Sequence, residues 1–129
     1  MKCLDTDVLI SFLRGENEAI DYVKKARDKG ASLAATWISS CELLKGARIS
    51  GDPHEIAAVR NLLASLDILL PAAGTAETYA GLDSERRRGK AVGDFDLIIA
   101  AIAVENNQIL VTCDKDFETI PGLKIEKWR

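Results

Sequence analysis

The residues in this chain best suited to chemistry are carboxylates at the ends of short apolar runs. Asp5 and Asp7 follow the N-terminal run, and Asp114 and Asp116 follow Ile109–Val111. Glu42 lies in Ser-Ser-Cys-Glu-Leu-Leu with apolar neighbours, and Asp94 and Asp96 open a strongly apolar segment. Each has a local explanation. Asp94 suits a helix N-cap, Asp96 a first-turn position favoured by the helix dipole, Asp5 and Asp7 a cap for the segment after them, and Asp114 a turn. Glu42 is hardest to explain locally, because a buried glutamate is rare without a partner. The one histidine, His54, stands beside Pro53 at a helix start and reads as a surface residue. Neither a Ser–His nor a Cys–His pair is required by this pattern.

Taken together, the acids suggest one site. Carboxylates within hydrogen-bonding range repel one another and take up protons unless a cation balances them. The sequence offers no set of strand-end lysines or arginines for that purpose. Oxygen-only ligands, with no His or Cys at matched spacing, suit Mg2+ or Mn2+ rather than zinc. Such an ion activates water and stabilises the charge that develops on a phosphodiester under attack.

The elements that must position these acids alternate between strand and helix. Met1–Leu4 is a predicted strand, followed by helical character over Val8–Leu13 and an amphipathic helix over Glu18–Lys29, with Ala19, Ile20, Val23 and Ala26 on one side, that ends at Gly30. Ser32–Ala35 is a second strand. Ile38–Ile49 is a helix with Thr36 or Ser39 as its cap, and Pro53 opens another that runs to about Leu66. Ile68–Leu70, Thr75–Gly89, Phe95–Glu105 and Ile109–Val111 follow as strand, helix, helix and strand, with Leu123–Glu126 an edge strand. This alternation predicts a mainly parallel sheet with helices on both faces, and ligands in such folds sit beyond the carboxyl ends of the strands. The pairs Asp5/Asp7 and Asp114/Asp116 fall at that edge.

Composition limits the function classes. With 129 residues, 47% hydrophobic and 29% charged, the chain suits one domain over 1–129 with a real core. Aromatic residues are only 5%, which argues against a surface built mainly on stacked rings. Cys3, Cys41 and Cys113 form no CxxC pair and are expected to be small buried hydrophobes in a reducing cytoplasm. No apolar run is long enough to span a bilayer, and with an acid as early as Asp5 no signal peptide is expected. The net charge of −3 weighs against nucleic acid, which usually leaves a basic footprint. Two features answer it. The acids that lower the charge would be partly neutralised by a bound cation, and Arg86, Arg87, Arg88 and Lys90 form a basic run shortly before Asp96 that could grip phosphates or simply end a helix.

The segments Leu4-Asp5-Thr6-Asp7-Val8-Leu9, Cys41-Glu42-Leu43-Leu44-Lys45-Gly46, Asp96-Leu97-Ile98-Ile99-Ala100-Ala101 and Val111-Thr112-Cys113-Asp114-Lys115-Asp116-Phe117 resemble, in order, the four motifs of PIN domains. The resemblance is strongest to VapC-type toxin ribonucleases of toxin–antitoxin pairs, whose usual ending Ile120-Pro121-Gly122-Leu123 with Trp128 resembles. It implies a three-layer α/β/α fold with a central, mainly parallel sheet of four or five strands. It also implies an endoribonuclease in which Asp5, Glu42, Asp96 and Asp114 hold Mg2+ or Mn2+, Asp5 and Asp96 most directly. Asp116 would be an accessory acid, with Thr6 and Thr112 hydroxyls near the metal or its waters, and Asp94 remains a cap. At Asp7, relatives often carry Asn, so an acid there leaves the number of metals open. RNA substrate, an antitoxin partner and a homodimer complete the expectation.

Other classes compete. Asp5-Thr6-Asp7 after a strand also resembles the nucleophile-plus-acid pair of haloacid-dehalogenase-like phosphatases, although Glu42 then has no role. A receiver-like module would need an aspartate after the middle strand, where Pro71 and Ala72 stand instead. A degenerate PIN scaffold kept for binding would not need acids at all four motifs.

Overall fold

The computed structural model describes residues 1–85 and 92–129. Among them the chain forms β1 (Lys2–Leu4), α1 (Thr6–Leu13), α2 (Asn17–Asp28), β2 (Leu33–Thr36), α3 (Trp37–Ser50) and α4 (Pro53–Ala64). There follow β3 (Asp67–Leu69), α5 (Thr75–Glu85), α6 (Asp94–Glu105), β4 (Ile109–Val111) and β5 (Ile125–Glu126). The five strands form one sheet in the order β3-β2-β1-β4-β5, and every pairing is parallel.

The sheet is covered on both faces, and the side-chain alternation of the central strands shows how. Cys3 and Leu110 point into a core with Leu97, Ile99, Ile102 and Phe117, while Leu4 and Val111 point into another with Val8, Leu9, Val23, Leu43, Val59 and Leu62. A strand buried on both sides reads as a continuous apolar run rather than an alternating one, as Ala34 and Ala35 do in β2. The helix α6 lies inside the core that holds Cys3 and Leu110: Leu97 and Ile99–Ala103 are fully buried.

Local signals fix the helix ends. Thr36 caps α3 by accepting from the Ser39 N–H at 3.2 Å, and Gly51 closes it in the left-handed region at φ 71°. Asp52 caps α4 through the His54 N–H at 2.9 Å, with Pro53 in the first turn.

Several expectations need correction. The first helix starts at Thr6 rather than Val8, so Thr6 and Asp7 are helical. Asp94 is not the N-cap of α6; Gly93 is, and Asp94 is the first helical residue. A 3-10 turn at Lys115–Thr119, too short to leave a periodic signal, links β4 to the edge strand. Of the cysteines, only Cys3 is buried; Cys41 and Cys113 are half-buried, and all three are free. The second helix buries Ala19, Val23 and Ala26 but leaves Ile20 exposed. The basic run Arg86, Arg87, Arg88 and Lys90 lies outside the described residues. No helix among the described residues is long and apolar enough to cross a membrane.

Candidate active site

The register of the two central strands sets the site. Leu4 pairs with Val111, so Asp5 and Thr112 emerge side by side at the carboxyl edge of the sheet. Asp5 is only 4% exposed. It occupies the N-cap position of α1, yet its side chain makes no capping bond. Instead it accepts a hydrogen bond from the Thr112 hydroxyl at 2.9 Å. The local explanation of Asp5 as a cap therefore fails.

Thr112 organises both acid pairs. Its oxygen accepts the Asp114 N–H at 3.0 Å, and its hydroxyl also lies 3.4 Å from Asp7 Oδ2. Asp7 Oδ2 accepts the Cys113 N–H at 3.1 Å, while Asp7 Oδ1 is buried with no hydrogen-bond partner. Asp114 does have the turn role foreseen for it, since Oδ1 accepts the Asp116 N–H at 2.9 Å. The same bond holds its carboxylate at the head of the 3-10 turn. Glu42, one turn into α3, accepts from the Thr6 hydroxyl at 2.9 Å.

Electrostatics tie these groups together. Burial pushes the Asp5 carboxyl from 3.8 up to about 7, with the neighbouring Asp7 and then Asp96 adding to the rise against the opposing Thr112 hydrogen bond. Burial likewise raises Asp96 from 3.8 to about 6, helped by the negative charges of Asp114, Glu42, Asp116 and Asp7. Six acids, Asp5 directly after β1 and the others from α1, α3, α6 and the segment after β4, thus share one field. The ion pairs Lys2–Glu126 (2.9 Å) and Lys127–Glu118 (3.4 Å) involve none of them. Asp94 stands apart: exposed, it accepts from the Tyr79 hydroxyl at 2.8 Å and fastens α5 to the start of α6.

The donor set fits a hard dication in kind. It is all oxygen, mutually repelling, and includes a buried carboxylate oxygen without a partner. As they stand, no three His, Cys, Asp or Glu side chains among the described residues converge closely enough to hold an ion, so binding requires the carboxylates to draw together.

Sequence reasoning placed the acids but missed what Thr6, Thr112 and Ser39 touch. The two threonine hydroxyls bond to carboxylates, and Ser39, considered only as a cap, is fully buried with its Oγ 2.9 Å from the Thr6 hydroxyl. The spacing of Ser39 and Glu42, three apart on one helix face, was the available signal.

Residues 2–123 match the family described as PIN domain. The chain belongs to the PIN-domain family. It is 30% identical over 132 residues to the tRNA(fMet)-specific endonuclease VapC of Salmonella typhimurium, spanning 97% of this chain and 96% of that one. It is 27% identical over 128 residues to ribonuclease VapC2 of Haemophilus influenzae, again covering 97% and 96%. Among solved structures, the DNA-bound VapBC of Salmonella typhimurium superposes with a TM-score of 0.88 at 27% identity, over 100% of this chain and 99% of that one. VapBC2 of Rickettsia felis, bound to a DNA fragment from its promoter, gives 0.86 at 25% identity over 99% and 98%. The three-layer α/β/α arrangement is the PIN fold of those complexes, and membership of this family sets aside the phosphatase and receiver alternatives.

Proposed function

We propose that this chain, one PIN domain over residues 1–129, is a cytoplasmic Mg2+- or Mn2+-dependent endoribonuclease and the toxin of a VapBC-type pair. Its substrate is RNA, its partner an antitoxin protein, and its working form a homodimer. The observation that carries the reading is the acid cluster at the carboxyl edge of the sheet, where Asp5 and Asp96 are held well above the usual carboxylate range by burial and by like charge. A protein does not gain stability from such a cluster; a cation-binding function explains why it is kept.

Asp5, Glu42, Asp96 and Asp114 would hold the ion, with Asp7 and Asp116 adding negative charge around them. When bound, the cation supplies a Lewis acid that polarises the scissile phosphate and makes water a competent nucleophile at neutral pH. The chain's own residues supply the positioning. Thr112 fixes Asp5 by its hydroxyl and Asp114 by its backbone, and Thr6 fixes one oxygen of Glu42. Asp96 projects from the first turn of a helix whose Leu97 and Ile99–Ala103 are fully buried, so its backbone has little freedom to move. The basic run Arg86, Arg87, Arg88 and Lys90, a few residues before Asp96, would contact phosphates of the RNA flanking the cut.

Cleavage of a mixed RNA substrate tests this directly. Wild type is expected to cleave with Mn2+ or Mg2+ and to stop in excess chelator, while Asp96→Asn loses about 100-fold or more and retains its circular dichroism spectrum. Undiminished cleavage in chelator, or in the variant, would remove the mechanism.

A further inference from the structure

A chain of three hydroxyls, two of them fully buried, runs from the start of α3 to Glu42, and the number of available protons fixes its direction. The Thr6 hydroxyl lies 2.9 Å from Glu42 Oε1 and 2.9 Å from Ser39 Oγ. An ionised carboxylate can only accept, so the single Thr6 proton is committed to Glu42. Ser39 must then donate its own proton to Thr6. The Ser39 oxygen in turn faces the Thr36 hydroxyl at 3.5 Å, and Thr36 Oγ1 accepts the Ser39 N–H at 3.2 Å. Ser39 and Thr36 are both fully buried, so neither can exchange this arrangement for one with water. Every donor in the series points toward Glu42. Resting on the proposed nuclease function, we infer that Ser39 is a positioning residue for the metal site, acting through Thr6 to fix Glu42 Oε1 and leave Oε2 free to face the cation.

The physical reason for such a chain lies in the geometry of the cluster. The carboxylates repel one another, and Glu42 has the longest side chain among the four proposed ligands and therefore the most rotamers to lose. A hydroxyl held from one side only can swing; one that donates to the carboxylate and accepts from a second buried hydroxyl has both directions fixed. Hydrogen-bond chains also polarise along their length, so the Thr6 donor is stronger with Ser39 behind it. Partners of this kind, one step removed from the ligands, commonly alter metal affinity by about 10–100-fold when removed.

The test measures Mn2+ affinity by electron paramagnetic resonance or calorimetry on the full chain without RNA, so the readout does not depend on turnover. Ser39→Ala is expected to weaken Mn2+ by about 10-fold or more. Thr6→Val, at a less buried position, should weaken it similarly and keeps the proposal testable if Ser39→Ala does not fold. The double variant should be no worse than the poorer single one, since a chain already broken has nothing further to lose. Ser39→Thr, which restores a hydroxyl, should recover affinity. Unchanged Mn2+ binding in folded Ser39→Ala, or strictly additive losses in the double variant, overturns the role of Ser39 while leaving the nuclease function standing. Failure of the unaltered protein to bind Mn2+ overturns that function, and the role of Ser39 with it.

Discussion

Asp5→Asn should make the metal-free protein more stable at alkaline pH while destroying its activity. The Asp5 carboxyl is raised from 3.8 to about 7, chiefly by burial and next by Asp7. At 1.36 kcal/mol per pH unit, that rise corresponds to about 4 kcal/mol for ionising Asp5 in the folded state. Because the folded pKa is the higher one, the stability associated with neutral Asp5 is fully present below pH 3.8 and is lost as pH rises through about 7. Asparagine keeps an acceptor for the Thr112 hydroxyl and carries no charge at any pH. The stability difference between Asp5→Asn and wild type should therefore grow by about 4 kcal/mol between pH 4 and pH 8, a large share of a domain's typical ~5–15 kcal/mol. Urea denaturation in chelator, run at pH 4, 6 and 8 on both proteins, measures it. Adding Mg2+ at pH 8 should then stabilise wild type, by about 2.7 kcal/mol at 100 times its dissociation constant, and leave the variant nearly unaffected. Parallel pH profiles in chelator would refute the reasoning, because they would mean that Asp5 is neither strongly desolvated nor repelled in the folded protein.

Thr112→Val removes the hydroxyl that bonds Asp5 and receives the Asp114 N–H, so we expect a loss of about 1–3 kcal/mol in urea denaturation, together with weaker Mn2+ binding. A variant as stable as wild type would show that both groups find other partners. Replacing Arg86, Arg87 and Arg88 together with alanine should weaken single-stranded RNA binding at low salt and flatten the dependence of log affinity on log salt by roughly 0.7 for each lost phosphate contact. An unchanged slope, measured by fluorescence anisotropy on the Asp96→Asn background, would place RNA elsewhere. Chelator removal of metal from wild type should lower its thermal midpoint at pH 8 more than at pH 5, because protonation of Asp5 and Asp96 relieves at pH 5 the repulsion that the ion relieves at pH 8.

Much of this protein was legible in its sequence. The alternation of apolar runs with helical segments determined an α/β architecture, because strands buried on both faces and helices of 3.6-residue period leave different patterns. Acids placed after the first and fourth strands had to meet at one edge once those strands were parallel neighbours, and the order of four motifs named the PIN family. Tertiary structure decided the rest. Whether Asp5 caps α1 or faces the site depends on the Thr112 hydroxyl, which lies 107 positions away and comes near only through the Leu4–Val111 register. Asp94 and Asp96 look alike as helix-opening acids, but one turn geometry sends the first to Tyr79 at the surface and the second into the cluster. Ser39 showed a cap and a place on the Glu42 face of one helix, but not the Thr6 hydroxyl it meets, since that partner lies on another helix. Local patterns record what a residue must bury; which polar group it meets there is set by the packing of elements distant in the chain, and that information has no period to read.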